Sequence, residues 1–230
     1  SVVEELQHSI ASGHIQRIVD GRDASIVLGV RLPGQTEYAL LSWHSEFARV
    51  HSTDEPGRAP SQPSPFCMAL RKHLEGGRIT RVSQVGFDRI LRMEIQQGSG
   101  LYILIGEFMG RHSNVILIPE DGLILAAAKY VSLRKSRYRV VLPGQPYVPP
   151  PPAKGALNPL DDLAPDCRAP MRRGEEKSAR ETLMQTYQGL SPFLAYLIVY
   201  RAVSTGIEES WRSVFGPARE GLWSPVLVRD

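Results

Sequence analysis

Cysteine is scarce: Cys67 and Cys167 are the two in a chain of 230 residues. Two cysteines 100 positions apart build no disulfide scaffold and match no zinc spacing. Reduced thiols are expected, with Cys67 in a core because it lies in an apolar helical run. Long hydrophobic runs are lacking as well. The longest, near residues 193–199, falls far short of the ~20 residues a membrane-spanning helix needs. No basic segment followed by an apolar one opens the chain, so no signal peptide is read and a cytoplasmic location is expected. Catalytic signatures are also missing. There is no glycine-rich phosphate loop, no Gly-x-Ser-x-Gly elbow and no His/Cys/carboxylate group at metal-ligand spacing. These absences point to a binding module with no catalytic residue, metal or cofactor. What is present is ordinary for a folded protein: 42% hydrophobic and 22% charged residues.

The overall charge of +3 conceals a strong local asymmetry. Residues 71–92 carry Arg71, Lys72, Arg78, Arg81, Arg89 and Arg92 against Glu75 and Asp88, a net +4. Residues 129–139 carry Lys129, Arg134, Lys135, Arg137 and Arg139 with no acid, a net +5. The remainder of the chain is therefore acidic. Two basic segments on an acidic body suit a surface facing a polyanion. Arginines spread along exposed strand faces are the plainer alternative.

Hydrophobic periodicity divides the chain into a β-rich part and a helical part. Residues 2–13 read as a helix ended by Gly13. Strands are expected over 15–19, 25–32 and 38–43, with Pro33-Gly34 as a turn. Four prolines make 53–65 a loop. Residues 66–75 form a short helix in which Phe66, Leu70 and Leu74 face inward and Gly76-Gly77 is the stop. A period-two pattern follows through 79–87, 90–95, 101–107 and 115–118. Pro119-Glu120-Asp121-Gly122 then turns the chain into a partner strand over 123–131. This is an antiparallel meander, so the expected fold class is α+β, with a sandwich or barrel-like β core and attached helices. The domains are expected at 1–150 (β-rich), 151–174 (a proline-rich linker favouring polyproline II) and 175–230 (helical). In the last part, helices are expected over 175–188, 193–203 and 207–215. Gly189-Leu190-Ser191-Pro192 is a turn in which Ser191 N-caps the second helix.

Two polar clusters interrupt the apolar pattern. Glu107-Phe108-Met109-Gly110-Arg111-His112-Ser113-Asn114 separates two strands with more polar groups than a tight hairpin requires. Arg111 and His112 suit phosphate oxygens, and Ser113 and Asn114 suit ribose, bases or the capping of a turn. A bulge in which Arg111 pairs with Glu107 would satisfy the same residues. Asp88-Arg89 lies in a strand-like run, which aims one of the pair at each face. A salt bridge at the strand start is the simpler reading of that pair.

Taken in order, these segments resemble a known family. Residues 66–79 (Phe-Cys-Met-Ala-Leu-Arg-Lys-His-Leu-Glu-Gly-Gly-Arg-Ile), Gly86-Phe87-Asp88-Arg89-Ile90, the 107–114 run, Ser136-Arg137 and Leu142-Pro143-Gly144-Gln145-Pro146-Tyr147 are similar to the N-terminal part of the NFACT family. Gly189-Leu190-Ser191-Pro192 resembles the family's helix-hairpin-helix unit. Phe87 and Phe108 stand where the family carries aliphatic residues. The resemblance implies a β-rich domain similar to the N-terminal domain of formamidopyrimidine-DNA glycosylases, followed by a small helix-hairpin-helix unit. It implies a ribosome quality-control factor that binds the large ribosomal subunit carrying a stalled peptidyl-tRNA, recruits alanyl-tRNA and supports alanine tailing. The residues it assigns to tRNA are Asp88, Arg89, Arg111, His112, Ser113, Asn114 and Arg137; the two basic segments add Arg71, Lys72, Arg134, Lys135 and Arg139 as a supporting basic surface. A matrix-binding adhesin and a glycosylase-like DNA-binding module are the alternatives. The proline nucleophile of the glycosylases has no counterpart at Ser1.

Overall fold

The computed structural model describes residues 1–57, 62–151, 157–161 and 176–222. Most of the expected linker at 151–174 thus lies outside the described residues. The described residues form two units, one of 2–85 with 89–151 and one of 86–88 with the helical residues after 156.

The larger unit is antiparallel. Its elements are α1 (Val2–Ile10), β1 (His14–Asp20), β2 (Ser25–Leu32), β3 (Gln35–Ser42), β4 (Arg49–Thr53), α2 (Pro65–Leu74), β5 (Arg78–Gln84), β6 (Ile90–Gln97), β7 (Gly100–Glu107), β8 (Asn114–Pro119) and β9 (Ala126–Ala127). The nine strands form one sheet in the order β4-β3-β2-β1-β5-β6-β7-β8-β9. Residues from both halves of the sheet enter a single core that includes Leu28, Val30, Leu91, Met93, Leu104 and Leu117. The two helices close that core. Helix α1 packs on β5, β4 and β3 while α2 packs on β1, β9 and β6. Each inserts a narrow apolar stripe: Leu6 and Ile10 from α1, and Phe66, Leu70 and Leu74 from α2, as the fourfold spacing predicts. Ser64 N-caps α2 through Oγ to the Cys67 amide at 3.1 Å. Asp20 in turn holds Ser64, accepting its amide at 2.8 Å and its hydroxyl at 2.6 Å. The helix start is thereby fixed to the end of β1.

Two elements differ from the sequence reading. Strand β4 forms over residues 49–53, just before the expected loop and where no element was expected, and pairs along β3 from Tyr38↔Thr53 to Ser42↔Arg49. The expected strand over 123–131 shrinks to two residues. Leu125 and Ala128 still bond to β8. At Lys129 the Asn114 side chain takes over both backbone groups and the ladder ends.

The smaller unit contains α3 (Glu176–Thr186), α4 (Pro192–Thr205) and α5 (Ile207–Arg219). Ser191 caps α4 by accepting the Leu194 amide at 3.1 Å, with Pro192 in the first turn. The core is Leu183, Tyr187, Leu190, Ala195, Ile198, Val199, Trp211 and Phe215. Gly189 has φ +69°, and a Cβ there would stand 2.0 Å from the Phe87 carbonyl oxygen, so both conformation and space demand glycine. No helix among the described residues is long and apolar enough to cross a membrane.

Candidate functional site

The sheet delivers two polar loops to one place. The first is the β7–β8 connection. Gly110 begins a single 3-10 turn at φ +57°, and the turn closes with the Ser113 amide on the Gly110 carbonyl at 2.9 Å. Ser113 Oγ accepts the Met109 amide at 2.7 Å. Asn114, at the first position of β8, clamps the neighbouring strand. Its Oδ1 accepts the Lys129 amide at 2.9 Å and its Nδ2 donates to the Lys129 carbonyl at 2.9 Å. These bonds fix the loop and leave Arg111 and His112 projecting. Both are exposed, with Arg111 Nε donating to His112 Nε2 at 3.1 Å.

The second loop is the excursion over residues 132–140. Its neck is closed by reciprocal backbone bonds between Val131 and Val141 at 3.0 and 2.8 Å. Inside it, Ser136 Oγ accepts the amides of Tyr138 and Arg139. The same neck carries a buried ion pair. Arg139 forks onto Glu107 with Nη1–Oε1 at 2.6 Å and Nη2–Oε2 at 2.5 Å, while Tyr147 donates to Oε1 at 3.0 Å. Glu107 is fully buried and the Arg139 side chain is 11% exposed. Burial opposes the guanidinium charge, but the hydrogen bonds and charge of Glu107 outweigh it and hold the Arg139 pKa above its usual range. Burial raises the Tyr147 hydroxyl further, with the Glu107 charge second.

Between the loops lies a cleft of about 660 Å³. Arg111, His112, Lys135, Tyr130 and Tyr138 line it together with Lys129, Ser136 and Pro150-Pro151. Tyr130 and Tyr138 are 51% and 55% exposed, which leaves their rings open to a ligand. Lys129 instead turns inward and donates from Nζ to the Trp43 carbonyl at 2.9 Å, and burial lowers its pKa.

The structure brings together six of the residues assigned from sequence: Arg111, His112, Ser113, Asn114, Lys135 and Arg139. They differ in what they offer. Ser113 and Asn114 are buried and committed to backbone groups. Arg139 is not part of a basic surface: a buried carboxylate neutralises it. Glu107 is thus the partner of Arg139 rather than of Arg111. Arg134 and Arg137 are exposed on the 132–140 excursion without lining the cleft. Arg71 and Lys72 lie on α2, away from the lining. Arg71 Nε is tied to the Ile18 carbonyl at 2.7 Å, whereas Lys72 is exposed. Arg89 is exposed, and its carbonyl accepts the Phe108 amide at the base of the first loop. Asp88 is 8% exposed and falls in the helical unit. The sequence reading missed Tyr130 and Tyr138. Their signal is the interleaving of aromatic and basic residues in Lys129-Tyr130 and Arg137-Tyr138-Arg139.

A family model described as the NFACT N-terminal and middle domains matches residues 1–228. The Rqc2 homolog RqcH of Bacillus subtilis is 34% identical over 210 residues, covering 87% of this chain and 36% of the relative. Ribosome quality control complex subunit 2 of Saccharomyces cerevisiae is 37% identical over 83 residues, 36% of this chain and 8% of the relative. Among solved structures, the N-terminal part of the fibronectin/fibrinogen-binding protein from Streptococcus suis superposes with a TM-score of 0.78 at 31% identity. That match covers 94% of this chain and 81% of the other. The chain spans about a third of the length of its bacterial relative.

Proposed function

The chain belongs to the NFACT family of ribosome quality-control factors, and from that premise we propose that it is an RNA-binding module whose cleft between the 108–113 and 132–140 loops engages tRNA. The observation that carries this reading is the pairing of exposed cations with open aromatic rings at one cleft. Arg111 and Lys135 sit beside Tyr130 and Tyr138, and Arg134 and Arg137 stand on the flanking excursion. Cations neutralise phosphates, and unpaired bases stack on exposed rings with little sequence preference. Neutral Ser113, Asn114 and the Glu107–Arg139 pair act beneath this surface, holding the two loops in register.

In the whole protein the partners are the large ribosomal subunit with a stalled nascent chain and alanyl-tRNA, and the outcome is alanine tailing. The module itself binds and does not catalyse, and its site of action is the cytoplasm. The β-rich unit then corresponds to a glycosylase-like N-terminal domain and the α3–α4 turn to a helix-hairpin-helix. The test is to purify the full-length protein from cells and sequence the RNA that accompanies it. Enrichment of one tRNA together with large-subunit rRNA is expected, and its loss in an Arg111→Ala/Lys135→Ala variant. RNA recovered equally with that variant overturns the cleft as the binding site. Alanine tailing retained in Asp88→Ala/Arg89→Ala overturns the role of that pair. A second reading, matrix binding, is favoured by the name of the S. suis protein. Surface labelling of intact cells separates it from the first.

A further inference from the structure

Helix α4 is richer in apolar residues than its two neighbours, and its polar residues Arg201, Ser204 and Thr205 gather in the last turn. Ala195, Ile198, Val199 and Ala202 face the core of the helical unit. On the opposite face Phe193, Tyr196, Tyr200 and Val203 are 52%, 48%, 65% and 55% exposed. Their spacing of three, four and three residues places them in one row, about 15 Å long at 1.5 Å per residue. A helix with apolar residues on opposite faces is normally enclosed on both sides. Here α3 and α5 enclose one side. The outer row is organised rather than scattered: Tyr196 and Tyr200 stack with ring centroids 5.9 Å apart at 24°, and the Arg180 guanidinium lies 5.8 Å from the Tyr196 ring centroid. Tyrosine, phenylalanine and arginine are the residues that concentrate at protein interfaces.

Charge decides between a nucleic acid and a protein as the occupant. The described residues of this unit carry five Lys or Arg against seven Asp or Glu, so among them there is no net positive charge to draw a polyanion. The one charged residue of α4 is Arg201, and Arg180 adjoins the row from α3. We propose that this face of α4 docks an amphipathic α-helix of a partner protein, whose apolar stripe covers Phe193, Tyr196, Tyr200 and Val203 and whose flanking acids meet Arg180 and Arg201. A helix laid along a helix presents anchors spaced three or four residues apart, the spacing of this row at i, i+3, i+7 and i+10. The row belongs to the helical unit and the cleft to the β-rich unit, and the proposal does not depend on the RNA reading.

The test places the photocrosslinker p-benzoylphenylalanine at position 200 of the full-length protein in living cells and identifies the adduct by peptide mass spectrometry. The expected adduct is one protein segment with apolar residues at helical spacing flanked by Asp or Glu. A synthetic peptide of that segment should bind the protein. Its affinity should fall at least about tenfold in Tyr196→Ser/Tyr200→Ser and in Arg180→Glu/Arg201→Glu. Val203→Asp is a further variant: it lies on the exposed row, so helical content should persist while binding is lost. Adducts to RNA, to a second copy, to another part of the same chain or to no single segment overturn the proposal, as does peptide binding that the variants leave unchanged.

Discussion

The Glu107 carboxylate and the Arg139 guanidinium form a two-pronged pair across 32 residues of sequence, at 2.6 and 2.5 Å. The pair ties the end of β7 to the neck of the 132–140 excursion, the two elements that border the cleft. Its energetics are asymmetric. Breaking a buried pair strands the remaining charge, whereas replacing both partners with apolar groups removes the desolvation problem. Arg139→Met should therefore cost about 3–5 kcal/mol, because Glu107 is fully buried. Glu107→Met/Arg139→Met should recover much of that loss. Urea denaturation of the four species of the double-mutant cycle measures both, and a double variant as unstable as Arg139→Met refutes the asymmetry.

Asn114→Ala should be more damaging than a polar-to-alanine change usually is. The side chain holds the amide and the carbonyl of Lys129 and accepts the Val115 amide at 3.0 Å. Its removal leaves part-buried backbone groups without partners, at about 1–3 kcal/mol for each buried group left unsatisfied. Denaturation should show a loss of at least about 2 kcal/mol. Hydrogen exchange should show the Lys129 amide opening ahead of the β8 core. Unchanged protection at Lys129 contradicts the clamp.

This clamp also shows where sequence reading stops. An apolar, β-branched run located β2 and a period-two pattern located β6 and β7, because each has apolar residues to bury, and the 66, 70, 74 spacing located α2 for the same reason. Strand β4 was hidden because its row Arg49-Val50-His51-Ser52-Thr53 has little apolar content and depends on pairing with β3. The apolar 123–131 run promised a full strand, but a side chain from another strand intercepts its backbone. The cleft was half legible. The 107–114 run stood out by residue type, yet nothing local distinguishes Arg139, which is neutralised, from Arg137 two positions earlier, which is exposed. That difference is set by a carboxylate 32 residues away. Pairings at that distance leave no periodic trace.

Cys67 supplies a pH dependence with a defined sign. Burial pushes its thiol up from 9.0 to about 11, with the Asp20 charge second. The folded pKa is raised, so the contribution to stability is complete below pH 9 and is lost as pH rises from there to about 11. In a Cys167→Ser background, thiolate absorbance at 240 nm should titrate near pH 11 in the folded protein and near pH 9 in urea. Stability should fall over that interval, and less so in Cys67→Ala. Thiolate formation near pH 9 without unfolding contradicts the burial argument.

The RNA reading of the cleft separates into two signatures. Neutralised phosphates release counterions, so each lost cationic contact should lower the slope of log affinity against log salt by about 0.7–0.9. Stacked bases release none, so a lost ring should weaken binding at every salt concentration and leave the slope unchanged. Arg111→Ala and Lys135→Ala should flatten the salt dependence of tRNA binding by the full-length protein. Tyr138→Ala should weaken binding by about 1–3 kcal/mol with the slope intact. All three side chains are exposed or line the open cleft, so thermal stability should move by no more than about 0.5 kcal/mol. Arg71→Ala, on α2 and away from the lining, is the internal control for general charge effects. A slope change as large in Arg71→Ala as in Lys135→Ala assigns the salt dependence to diffuse positive charge, and the two loops then lose their role as the docking edge.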